Sequence, residues 1–162
     1  MARFSFSVLA SIGALAIVGG VVATRESDSN EPRGIRNKNP GNLVITDIPW
    51  VGKVPVDENT DGTFEQFYQA EYGIRALYRD VSGDVERDGL NTPRKLITEY
   101  APPHENNTEA YIQFVSNRLN ISPDSVILPF QYPSLVAAII EIENGKNPYN
   151  LAFIEYSSLI TA

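Results

Sequence analysis

The chain has no cysteine, and among its 162 residues only one histidine, His104. The first absence excludes disulfides, thiol catalysis and thiolate metal sites, and leaves the redox compartment unreadable. The second means that a histidine-rich zinc site or a Ser-His-Asp triad would have to be built around one side chain. Basic charge is also scarce: 13 Lys and Arg stand against 20 Asp and Glu, for a net charge of −7. The general pull toward phosphate backbones is therefore missing, and no nucleic-acid partner is expected. Such a balance suits small neutral or sugar-like ligands, bound by hydrogen bonds and aromatic faces. With a hydrophobic content of 43%, the chain can bury one core of ordinary size, and its length leaves little room for a second domain. Carboxylates are the better candidates for chemistry, and no cofactor is expected.

From Val8 to Ala23 the sequence VLASIGALAIVGGVVA carries no charge and follows Arg3. Counted from Phe4, the uncharged stretch has about the length, roughly 20 residues, that a helix needs to cross a hydrocarbon core. It is apolar on every face, which argues against an amphipathic helix of a globular core. The first 24 residues therefore read as a transmembrane anchor or as a cleavable signal peptide. Arg25 to Arg33, RESDSNEPR, is polar, aperiodic and interrupted by Pro32, the composition of a linker. The folded domain is expected from Gly34 to the end of the chain.

Within that domain the first stretch, GIRNKNPGN from Gly34 to Asn42, is dense in residues that favour turns, so an ordered turn cluster is expected rather than a helix. Leu43 to Val56 contains β-branched residues broken by Pro49 and Pro55, which suggests one or two short strands, with a small hairpin around Trp50. Periodicity then predicts helices from about Ala70, from Thr92-Pro93 to Pro102-Pro103, from Thr108 to Leu119, from Leu135 to Asn144, and from Asn150 to Leu159. Gly145 stands where a helix end takes a left-handed residue. The fold class is thus mainly α: a compact helical domain with a small β element near its start, behind an N-terminal hydrophobic helix.

The most apolar helix, LVAAIIEIEN, ends in two glutamates that face differently. Glu143 follows Ile139 by four residues, Val136 by seven and Leu135 by eight, so it shares their apolar face. Desolvation there raises the proton affinity of a carboxyl toward that of a general acid, which cleavage of a glycosidic bond requires. A helix-terminal glutamate that reaches back to water is the alternative reading of the same spacing. Glu141, aligned with Ala137 and Ser134, is the solvent-facing member of the pair. Asp57 to Gly62 mimics the first half of a calcium loop, but Tyr68 occupies the place of the bidentate glutamate, so a solvated turn and no metal site is expected. Trp50, Tyr68, Tyr100, Tyr111 and Tyr149 are the aromatics that could stack on sugar rings.

The stretch AIIEIENGKNPY, Ala138 to Tyr149, resembles the catalytic helix of lytic transglycosylases and goose-type lysozymes, in which an apolar helix ends in Glu-Ser. Glu143 falls on the catalytic acid of that motif, and Asn144 replaces the serine. GIRNKNPGNL from Gly34, then Trp50, Gly52, Phe64 and Phe67, GIRA from Gly73, and YAPPHENNTEAYIQFV from Tyr100 together look like a phage family of virion-associated transglycosylases. Lys38 and Ile142 depart from its pattern, and the motif order is that of a circular permutation. The resemblance implies a lysozyme-like fold and cleavage of the β-1,4 bond between N-acetylmuramic acid and N-acetylglucosamine. It implies Glu143 as acid and then base, with Asn39, Asn42, Tyr100, Glu105, Asn106, Tyr111 and Asn144 contacting substrate. The second proton acceptor role would act on the muramoyl 6-hydroxyl in a lyase and on water in a hydrolase. A two-carboxylate scheme would need Glu105 or Asp61 as partner. Peptidoglycan strands, a membrane reached through the N-terminal segment, and other virion proteins are the implied partners. The implied location is a virion membrane or the periplasmic face of an inner membrane, or the periplasm itself after signal cleavage. A non-catalytic virion protein or sugar-binding module that keeps the fold is the competing expectation.

Overall fold

The computed structural model describes residues 30–103 and 107–161, and six α-helices carry the architecture. These are α1 (Arg33–Arg36), α2 (Ala70–Glu86), α3 (Pro93–Tyr100), α4 (Thr108–Leu119), α5 (Tyr132–Asn144) and α6 (Leu151–Ser158). A single 3₁₀ turn, Pro129–Gln131, leads into α5. The apolar run at 8–23 expected to be an anchor or signal lies outside the described residues. Among those described, no helix is long and apolar enough to cross a membrane.

Local signals account for the helix ends. Thr92 caps α3 by accepting a hydrogen bond from the Lys95 backbone N–H, with Pro93 in the first turn. Asn107 and Asn150 do the same for α4 and α6 through the N–H groups of Ala110 and Phe153. Gly145 closes α5 at φ 68°, a left-handed conformation that only glycine adopts without strain. Helix α5 is the hub: it packs against α1, α2, α4 and α6, and Leu135, Val136, Ile139 and Ile140 along it are buried. Around it close Ile74, Leu77 and Val81 of α2, Leu96 and Ile97 of α3, Ile112 and Val115 of α4, and Ile154 of α6. Each contributes through apolar area withdrawn from water, about 1.5–3 kcal/mol for a full aliphatic side chain.

Two expectations about the start of the domain are corrected. Arg33 to Arg36 is helical where an ordered turn cluster rather than a helix was expected from Gly34, with Arg36 N–H donating to Pro32 O at 3.0 Å. Ile35, buried at 8% exposure, supplies the tertiary anchor that so short a helix requires. The β element is reduced to two isolated antiparallel bridges, Val44 with Phe64 and Lys53 with Phe67. Proline at 49 and 55 removes ladder donors, and Gly52, at φ 68°, turns the chain after Trp50.

Candidate active site

Three segments distant in sequence meet at the carboxyl of Glu143. The first is the end of α5 itself, which the Asn144 amide ties down by donating to Pro40 O and Ile140 O, both at 2.8 Å. The second is the loop 37–43, whose Asn42 is left-handed at φ 51° and donates from Nδ2 to Glu143 Oε2 at 3.1 Å. The third is α4, from which the buried Tyr111 hydroxyl donates to Glu143 Oε1 at 3.3 Å.

The asparagine loop is held on both sides. Asn39 is fully buried; its Nδ2 donates to Leu43 O and Glu65 O, both at 2.9 Å, and its Oδ1 accepts from Leu43 N–H at 3.0 Å. On the other side, Gly73 of α2 lies so close that a Cβ there would stand 1.9 Å from Lys38 O. A glycine is thus required where α2 touches the loop, and through the loop it sets where Asn42 can reach.

Glu143 is half-buried, and burial raises its proton affinity above the ordinary carboxyl value while the hydrogen bonds from Asn42 and Tyr111 pull the other way. Desolvation is the larger influence, so the net direction is upward. Beside this carboxylate, the Tyr111 hydroxyl is driven well above its usual range, by burial first and then by the Glu143 charge, and stays protonated as a donor. Among the described residues, the site therefore holds one carboxyl with elevated proton affinity, cradled by two neutral donors. Glu141, one turn-face away, pairs with Arg118 at the surface.

Several residues expected at the substrate are engaged by the chain's own groups. Asn39 and Asn144 are buried, and their amides donate to the chain's own backbone carbonyls. Tyr100 is likewise buried; its hydroxyl is shared between Asp84 Oδ2 at 2.9 Å and Asp80 Oδ2 at 3.2 Å, beneath the surface between α2 and α3. The oxygens of Asp61, the carboxylate a two-carboxylate scheme would draw on, are engaged by Arg33 at 2.6 and 2.7 Å, Asn37 at 2.8 Å and Phe64 N–H at 2.9 Å. These partners hold its carboxyl far below the usual range despite an opposing desolvation. The side chains resembling half a calcium loop thus close a turn, and among the described residues no group of three or more potential ligands stands together for a metal. Glu105 and Asn106 lie outside the described residues. Of the aromatic candidates, Tyr68 is the exposed one, while Tyr149 stacks on Phe153 at 5.6 Å.

An acidic pair on α2, the buried Asp80 and the partly buried Asp84, was not anticipated. Its signal was present: Asp80 follows Leu77 by three residues and Ala76 by four, on the stripe that faces the core.

Among known proteins, the chain is similar to Protein P5 of Pseudoalteromonas phage PM2, at 38% identity over 120 residues that span 72% of this chain and 74% of that protein. No model of a known protein family matches the chain.

Proposed function

The chain belongs to the family of Protein P5 of Pseudoalteromonas phage PM2, and for this phage-type protein we propose a peptidoglycan-cleaving activity centred on Glu143. The substrate is the β-1,4 bond between N-acetylmuramic acid and N-acetylglucosamine, and the helical domain is a lysozyme-like scaffold for that bond. A single observation carries the reading: a half-buried carboxyl at the end of the central helix, of raised proton affinity, with two neutral donors on its oxygens.

The chemistry follows from that arrangement. Glu143 enters protonated and hands its proton to the glycosidic oxygen as the C1–O bond breaks, which turns a poor leaving group into an alcohol. The carboxylate left behind is stabilised where it stands by the Asn42 N–H and the Tyr111 O–H, donors already in place before charge develops. It then takes a proton from the muramoyl 6-hydroxyl as O6 closes on C1, which gives a 1,6-anhydro end. Water in the same position gives a reducing end. Among the described residues, no charged group contributes to the shift at Glu143, in keeping with one carboxyl serving as acid and then base. The apolar segment at 8–23 would tether this domain to a membrane, with its substrate face toward murein.

A zymogram on cell-wall material tests the proposal. Clearing by the wild-type chain that is lost in Glu143→Gln supports it; equal clearing by both, or clearing by neither, sinks it, and the latter favours a sugar-binding virion module.

A further inference from the structure

Beneath Asn42 the packing is unusual. The side-chain oxygens of Asn42 and Asn144 are both buried and, among the described residues, accept no hydrogen bond. Both converge on the same backbone atom: a Cβ built on Gly34 would stand 2.6 Å from Asn144 Oδ1, 2.7 Å from Asn42 Oδ1 and 2.9 Å from Asn39 O. Real Cβ atoms do not approach oxygen so closely, so the two amides occupy space that exists only because residue 34 has no side chain.

We infer that Gly34 is a positioning residue for Glu143, its bare Cα forming the floor on which the Asn42 amide lies with Nδ2 aimed at the carboxyl. The inference deepens the proposed activity and rests on that reading for its catalytic meaning. It follows from asking which of the three oxygens would yield to a methyl group. Asn39 O belongs to a backbone segment held by three hydrogen bonds from its own side chain. The Asn144 amide is anchored by two bonds to backbone carbonyls. Among the described residues, Asn42 makes one side-chain bond, to Glu143 itself. The least tethered group moves, and it is the one that holds the carboxyl. With Oδ1 against the Gly34 Cα–H groups, a weak but oriented contact, the amide presents its donor end to Glu143. Displaced, that donor is lost, and the charged form of the carboxyl loses one of its two supports.

The test is a direct titration of the Glu143 carboxyl by ¹³C NMR in the full chain, assigned by the signal missing in Glu143→Gln. Gly34→Ala raises the midpoint by about 1–2 pH units, the size of one hydrogen bond to the charged form. Asn42→Ala raises it in the same direction, and the double variant goes no further than Asn42→Ala alone. A folded Gly34→Ala chain with an unchanged midpoint overturns the inference, as does full additivity in the double variant. Should Gly34→Ala fail to fold, thermal denaturation of Gly34→Ala in the Asn42→Ala background decides. A smaller loss there supports the inference, and a loss as large as in the wild-type background refutes it. The titration needs no turnover, so a wild-type chain that clears no cell wall counts against the activity and leaves these outcomes readable.

Discussion

Replacing Asp80 by Asn removes a buried charge that weakens the fold only above acid pH. Asp80 lies on the buried face of α2, where desolvation, followed by the neighbouring Asp84 charge, pushes its carboxyl from the ordinary 3.8 up to about 7 against the counter-pull of Tyr100 and Arg87. A folded-state value above the unfolded one has a definite sign. Below about pH 4 both states are protonated and the group is neutral to stability; as pH rises toward 7 the unfolded state releases its proton first and folding is progressively disfavoured. The gap corresponds to as much as about 4 kcal/mol once both states are ionised. Asn keeps the shape and an acceptor for the Tyr100 hydroxyl but cannot ionise. Urea unfolding of both chains at a series of pH values should therefore show curves that nearly coincide at pH 4 and separate by up to about 4 kcal/mol, in favour of Asp80→Asn, at pH 8. A difference that stays flat across that range would refute the reasoning, because no ionisation of Asp80 would then be linked to folding.

Other perturbations probe the scaffold and the site. Lys53→Met leaves Glu65, whose side chain is wholly buried, without the ammonium at 2.8 Å; urea denaturation should register a loss of about 3–5 kcal/mol, and a change below 1 kcal/mol would contradict the pairing. Gly73→Ala drives a methyl into Lys38 O, so a thermal melt should show destabilisation by about 3 kcal/mol or more, with Gly62→Ala, which meets nothing within 4 Å, as a comparison for strain at a positive φ alone. Tyr111→Phe removes a donor to the charged form of Glu143, which raises the proton affinity of that acid further. In the pH dependence of cell-wall clearing, the alkaline limb should move to higher pH, and a limb that moves down would speak against Glu143 as the acid.

Much of the helical frame was legible because its signals are local. Thr92-Pro93 and Asn150 mark helix starts through side-chain bonds to the N–H three residues on, and Gly145 marks a helix end by its left-handed backbone, all signals that spacing alone can reveal. The wheel that put Glu143 on the apolar face of α5 and Glu141 on the other depends on the same short range. What was not legible depends on distant partners. Tyr100 and Tyr111 both stand at buried helical positions, and only the packing of α4 against α5 brings the hydroxyl of Tyr111 to Glu143 while Tyr100 meets α2. Composition marks Asn39 and Asn42 alike as turn residues, yet one amide is sealed against Glu65 O and the other crosses 101 positions of sequence to reach Glu143. Asp61 looked free to act as a second carboxylate until Arg33, 28 residues earlier, was seen to grip it. The four-residue α1 is too short to leave a periodic trace, and two prolines left the expected strands as single bridges.

The most direct test of the account is the mass of what the full chain releases from intact murein sacculi. The account predicts soluble muropeptides cut between N-acetylmuramic acid and N-acetylglucosamine, with anhydro or reducing ends distinguished by one water, and none above background from Glu143→Gln. Release of the same fragments by Glu143→Gln at the wild-type rate would contradict it.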